Sequence, residues 1–166
     1  MKVGELKIRV ELQQITEIDI KKALEIYNSN AHFLKNHHGT SMVTVDFLRN
    51  ELKEMKEHGF TSNFVMLDEE PVAIIDYMQR KDGFVYLSML MLEASKQSSG
   101  LGRRIYAFFE NLVVKAGGKT IRIDVVDDYE GNVLPFWEKM GFVKIRYDRL
   151  TWGEKESGVC VMEKGV

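Results

Sequence analysis

The chain has 166 residues, 45% of them hydrophobic and 29% charged, with a formal net charge of −2. Both signs of charge are interspersed, so no basic field favours nucleic acid or an anionic membrane surface. No apolar run is long enough to span a bilayer, the N-terminus lacks an apolar signal region, and the one cysteine, Cys160, excludes an internal disulfide framework and suits a reducing cytoplasm.

Length and composition predict one domain over residues 1–166. Lys7 to Gln13 alternates Ile8, Val10 and Leu12 with polar residues, the pattern of a strand. Thr16 and Asp19 offer caps for a helix through Asn28, with Ile20, Ala23, Leu24 and Tyr27 on one face. Ser29 to Thr40 lacks periodicity and reads as irregular. Thr44 caps a helix to Lys56 that carries Phe47, Leu48, Leu52 and Met55. Asn63–Leu67 and Val72–Arg80 are strands joined by the turn Asp68-Glu69-Glu70-Pro71, and Asp82-Gly83 turns into a strand over Phe84–Leu92. That strand is apolar on both faces except at Ser88, as in a central strand covered on both sides; Met89 and Met91 read as core filler. Gly100 to Ala116 is a helix with Ile105, Phe108, Phe109 and Leu112 facing inward, ended by Gly117-Gly118. Thr120–Val126 is a strand, and strand, helix, strand at this length predicts a right-handed parallel crossover. A short helix spans about Asn132 to Met140. Val143–Leu150 and Val159–Met162 then close as an antiparallel hairpin around Trp152-Gly153. The sum is an α/β chain with a mixed, mostly antiparallel sheet, one parallel βαβ crossover and helices on both faces.

The segment Gln97-Ser98-Ser99-Gly100-Leu101-Gly102-Arg103-Arg104 carries the strongest chemical signal. A glycine loop between a strand and a helix N-terminus is an anion site, because the first N–H groups of a helix lack intrahelical partners and lie at its positive end. Ile105 stands where a dinucleotide fingerprint needs Gly or Ala, and no Gly-Lys-Ser/Thr follows as in a phosphate-binding P-loop. Gln97, Gly100 and Gly102 match Gln/Arg-x-x-Gly-x-Gly/Ala, which resembles the acetyl-CoA loop of the GNAT N-acetyltransferase superfamily. Asn132-Val-Leu-Pro-Phe-Trp-Glu-Lys-Met-Gly-Phe142 resembles the second signature of that family, a helix ending in Gly-Phe, with Gly141 expected in the left-handed region.

The resemblance implies the GNAT fold, acetyl-CoA as cosubstrate and no metal. It places the pyrophosphate on the backbone of Gln97, Ser98, Ser99, Gly100, Leu101 and Gly102. Arg103 and Arg104 follow the loop, either as charge partners of the nucleotide phosphate or on a solvated helix face, the second reading being favoured for Arg104. The resemblance sets the thioester against the strand near Leu90, Met91 and Leu92, and the pantetheine arm where this strand and Thr120–Val126 splay apart. The family often has a tyrosine acid on the short helix, but Trp137 stands there, and an indole N–H donates a hydrogen bond without usefully transferring a proton. Trp137 is therefore expected to pack against and position the ligand. Tyr129 is the substitute acid. Asn132, shifted from the asparagine position of the family, is expected either to touch the pantetheine or to serve as a plain N-cap.

Three carboxylates compete for the role of base. Asp76 is the odd charge in an apolar strand; burial would raise its pKa, whereas a position on the sheet edge would leave it in solvent. Asp124 and Asp127 end the parallel strand. The four histidines give no zinc pattern: His37 and His38 diverge as neighbours, and His32 and His58 lack a cysteine at ligand spacing. By the resemblance, Ser29–Thr40 helps form the acceptor pocket, which nominates Asn30, His32, Phe33 and His37 as substrate contacts. The expected function is a cytoplasmic N-acetyltransferase moving acetyl to a small primary amine by direct attack in a ternary complex, as a monomer or homodimer, without nucleic acid or membrane partners. The alternatives are an acyl-CoA-binding regulatory module without turnover and a protein N-terminal or lysine acetyltransferase.

Overall fold

The computed structural model describes residues 8–166. The strands are β1 (Val10–Gln14), β2 (Thr61–Leu67), β3 (Glu70–Gln79), β4 (Phe84–Leu92), β5 (Thr120–Val126), β6 (Val143–Trp152) and β7 (Lys155–Gly165). The helices are α1 (Ile20–Ser29), α2 (Ala31–His37), α3 (Val45–Glu57), α4 (Leu101–Lys115) and α5 (Leu134–Lys139), with short 3₁₀ turns before α1 and after β4. One sheet runs in the order β1-β2-β3-β4-β5-β7-β6. Every neighbouring pair is antiparallel except β4 and β5. This is the expected mixed sheet with one parallel crossover, made through α4.

The sheet separates two cores. On one face, Ile105, Tyr106, Phe109 and Val113 of α4 and Trp137 of α5 pack on Val65, Ile75, Leu87 and Ile121. On the other, Ile20, Ala23, Ile26 and Tyr27 of α1 and Leu48 of α3 pack on Phe64, Ile74 and Met91. Helices therefore cover both faces, and β4 runs between them with Val85, Leu87 and Met91 buried and Ser88 exposed. No helix among the described residues is long and apolar enough to cross a membrane.

Local chemistry sets the boundaries. The Asp19 carboxylate accepts from the Thr16 backbone N–H and hydroxyl ahead of α1, and the Thr44 hydroxyl accepts from Phe47 N–H at the start of α3. Gly141 ends α5 at φ +97°, the left-handed cap expected of it. Three expectations need correction. Ser29–Thr40 is not irregular: α2 fills most of it, and with Leu34 as its one buried residue it presents no apolar stripe to read. Tyr106 and Val113 take the inward positions of α4, while Phe108 and Leu112 are only half-buried. The last hairpin is longer than expected, because Trp152 pairs with Lys155 directly across Gly153-Glu154. Gly153 has φ +58°, and a Cβ there would fall 2.2 Å from the His38 ring, so only glycine fits the turn. The expected start of the first strand at Lys7 lies outside the described residues.

Candidate active site

The site begins with a break in the sheet. β4 pairs with β5 only over Phe84–Tyr86 and Thr120–Arg122. Beyond Tyr86 the two strands part, leaving the β5-facing backbone edge of Leu87–Leu92 unpaired. On its other side β4 carries a bulge: Met89 faces Asp76 and Leu87 faces Tyr77, so Ser88 is the extra residue. Bulges re-aim side chains and interrupt pairing, and this one lies where the strands part. Two cavities meet along this stretch of β4 and share Phe33 as a wall.

The larger cavity, about 890 Å³, runs from the α4 loop past Leu90, Met91 and Leu92 to α5. Gly100 caps α4 at φ +79°, no side chain caps this end, and a Cβ on Gly100 would meet nothing within 4 Å. The first N–H groups of the helix thus face open space at its positive end. Ser98, at φ +61°, is a second left-handed residue in the same loop, a conformation uncommon for non-glycine residues and met in turns and ligand clamps. Arg103 lines the cavity and Arg104 does not. A helix terminus with a glycine cradle, one arginine and an apolar channel fits a long ligand with a phosphate at one end.

The second cavity, about 290 Å³, lies on the α1–α3 face. Asp76, Glu51 and Asp124 line it, with Tyr27, Tyr86, Trp152 and His37. Asp76 shares a face of β3 with Ile74, is 3% exposed, and its Oδ1 has no hydrogen-bond partner. Burial pushes its carboxyl up to about 7. The solvated-edge alternative fails, because β3 is an interior strand. Asp124 is differently placed. Its oxygens accept from Arg122 Nε at 2.9 Å, from a terminal Arg122 nitrogen at 3.0 Å and from the Tyr86 hydroxyl at 2.7 Å. These bonds make it a structural anchor rather than a free base, which corrects its candidacy. The His37 Nδ1–H donates to the Phe33 carbonyl at 2.8 Å, its ring stacks on Phe33 with centroids 3.8 Å apart, and burial pushes its pKa down to about 4.

The remaining sequence candidates divide cleanly. Gln97, Ser98, Gly100 and Gly102 line the larger cavity; the Ser99 hydroxyl donates to Lys96 O instead, and Leu101 turns its side chain into the core. Trp137 lines this cavity and packs edge-on against Tyr106, Phe136 and Phe142. Tyr129 lines it too, and burial holds its phenol above the ordinary range. Asn132 lines neither cavity. Its Oδ1 accepts from Leu134 N–H at 3.0 Å and its Nδ2 donates to Tyr129 O at 3.0 Å, so it braces the entry to α5, whose N-cap is Val133, and closes the loop carrying Tyr129. These bonds place it one residue ahead of the N-cap position expected for it. Asn30 lines the larger cavity as well, but its polar atoms are spent within the fold. It is buried; its Nδ2 donates to Ile26 O and Leu92 O, and its Oδ1 accepts from Gln97 Nε2 at 2.6 Å. It clasps the α1–α2 junction to the end of β4 and the glycine loop. His32 lines the larger cavity and donates from Nε2 to Glu130 O at 3.2 Å, whereas Phe33 and His37 reach the second.

Sequence reading passed over Glu51, Tyr86 and Trp152. Glu51 sits between Leu48 and Met55 at helical spacing, so a carboxylate on the inward stripe of α3 was the available signal. Tyr86 stands two residues before Ser88 on the polar side of an otherwise apolar strand. Trp152 gave no signal, since its place in the cavity depends on the length of the final hairpin.

The comparisons agree with this geometry. The acetyltransferase (GNAT) domain family matches residues 24–153. The fold is similar to an acetyltransferase from Thermus thermophilus, with TM-score 0.75, 17% identity, and 95% of this chain and 97% of that chain covered. It is similar to the aminoglycoside acetyltransferase AAC(6')-Ib in complex with coenzyme A, with TM-score 0.73, 18% identity and 95% of each chain covered. It is also similar to the ribosomal-protein-S18-alanine N-acetyltransferase from Escherichia coli, with TM-score 0.70, 14% identity, and 95% of this chain and 94% of that chain covered. No curated protein is significantly similar to the chain in sequence. The chain belongs to the GNAT acetyltransferase family. It is an acetyl-CoA-dependent N-acetyltransferase.

Proposed function

We propose that the protein transfers acetyl to a small primary amine by direct attack, with acetyl-CoA in the larger cavity and the amine in the second. The observation that carries this reading is the meeting of the two cavities at β4, beside a buried carboxylate without a hydrogen-bond partner on Oδ1. The free N–H groups at the start of α4 and the Arg103 guanidinium would hold the pyrophosphate. The unpaired edge of Leu87–Leu92 would receive the pantetheine, and the N–H groups near Leu90 and Met91 would face the thioester oxygen.

Asp76 accepts the proton that the attacking ammonium must lose. A carboxyl near pH 7 is matched to that task, because it is partly ionised at working pH and strong enough as a base to hold a proton once taken. As nitrogen bonds to the carbonyl carbon and the carbon–sulfur bond breaks, nitrogen sheds its second surplus proton to the Tyr129 oxygen while the Tyr129 hydroxyl donates its own proton to the leaving sulfur. Its raised pKa keeps that proton in place until then. Trp137 walls the channel without proton transfer. The setting we infer is cytoplasmic, with the chain acting as one domain.

The test is release of free thiol from acetyl-CoA across an amine panel, with Asp76→Asn and Tyr129→Phe beside the unmodified protein. Turnover that both variants retain in full would leave the assigned roles without support, and no thiol release with any amine would remove the reading itself.

A further inference from the structure

The second cavity has an unbalanced charge. Three carboxylates line it, and only one is neutralised: Asp124 is held by Arg122 and Tyr86. Among the described residues, Asp76 and Glu51 have no ion-pair partner, and no lysine or arginine lines the cavity. His37 adds no positive charge, since burial keeps the ring neutral despite the bond from its Nδ1–H to Phe33 O. Burial raises both carboxyl pKa values above the ordinary range, so the empty cavity of about 290 Å³ resists ionising them, and a cation entering it favours their charged forms. The walls agree in sign. Tyr27, Tyr86 and Trp152 line it with aromatic rings, the Tyr86 ring already covered on one side by Arg122, and such rings attract ammonium groups and pack against methylene chains.

We propose that this cavity selects a short dication as acceptor: two ammonium groups on an apolar spacer, with no carboxylate or phosphate, the α,ω-diamine class. This rests on the reading of the second cavity as the acceptor site and narrows it. The carboxylates divide the work. Asp76 belongs to β3 directly opposite Met89, next to the strand stretch assigned to the thioester, and serves the reacting nitrogen. Glu51 belongs to α3 and holds the second nitrogen, which stays protonated. The balance is simple. The reacting ammonium gives one proton to Asp76, its lone pair forms the amide bond, the carbon–sulfur bond breaks, sulfur takes a proton from Tyr129, and the second proton that nitrogen sheds on becoming an amide restores the Tyr129 phenol. An α-carboxylate on the acceptor, as in an amino acid, would enter a space with carboxylates and no cation to meet it.

Three matched amines test the proposal: 1,5-diaminopentane, lysine, which adds a carboxylate to the same skeleton, and pentylamine, which removes the second charge. The expected result is a kcat/KM for the diamine at least about tenfold above each of the others. Glu51→Gln should raise KM for the diamine by about tenfold and bring it close to pentylamine. Lysine or pentylamine matching the diamine would overturn the proposal while leaving the acetyltransferase reading intact. If none of the three releases thiol, the same order is read from binding to the CoA-loaded protein by calorimetry. Tighter binding of the diamine then supports the proposal even though turnover fails, and equal binding overturns it.

Discussion

Asp76 ties rate and stability to one proton, with opposite signs. As a base it must be empty, so the rate should rise with pH through about 7. Stability runs the other way. The unfolded carboxyl titrates near 3.9, as ordinary aspartates do, so the folded state binds this proton more tightly. Its contribution is full below the unfolded value and is lost as pH rises through the folded one. Asp76→Asn should therefore cut turnover by roughly 10²–10⁴-fold. It should also raise the melting temperature at pH 8 while changing it little at pH 4; a lower melting point at pH 8 would mean that the carboxylate has a stabilising partner. His37, depressed to about 4, supplies the reverse slope: its contribution is complete above about 6.5 and is lost as pH falls toward 4. Tyr129→Phe should cost more than about tenfold in turnover if the phenol donates to sulfur. Trp137→Phe should keep most turnover and lose about 1–2 kcal/mol of stability from the packing against Tyr106 and Phe142, read from chemical denaturation.

At the scale of elements, the loop after β4 and the junction of α1 with α2 act as one unit, because Asn30 and Gln97 hold them together. Asn30→Ala leaves the Leu92 carbonyl and the Gln97 amide short of a partner, so it should destabilise the fold by roughly 1–3 kcal/mol rather than redirect specificity. The helix start offers a sharper contrast. Arg103→Ala should weaken CoA binding by about tenfold with unchanged melting of the free protein, whereas Arg104→Ala should do neither, as calorimetry can show. These elements also mark what could be read in advance. The glycine loop was legible because backbone geometry demands glycine at a left-handed cap. The caps at Thr16 and Thr44 and the turn at Gly141 were legible for similar local reasons. Helix α2 was not, since one buried leucine makes no periodic stripe. Nor was the division of the histidines and carboxylates between two cavities. That depends on which face of the sheet a residue meets after a bulge at Ser88, and on a hairpin that brings Trp152 back across the molecule.

Across the whole molecule, fold class followed from the alternation of strands and helices, and the crossover between β4 and β5 from its handedness and length. The acceptor side did not, because Glu51, Asp76 and Trp152 lie far apart in the chain and meet only in the assembled fold. The break between β4 and β5 has a further consequence. Seven strands form one sheet by connection, yet in mechanical terms there are two plates, β1–β4 and β5–β7, stitched together by three residue pairs at one end. Amide groups along Leu87–Leu92 that face the break have no neighbour to shield them, so in the free protein they should exchange with solvent faster than their depth in the fold suggests. A cosubstrate lying in the break would act as the missing seam. CoA at a hundred times its dissociation constant should add about 2.7 kcal/mol to the whole fold. The slowing of exchange should concentrate on this one edge, making the nucleotide as much a part of the sheet as the strands beside it.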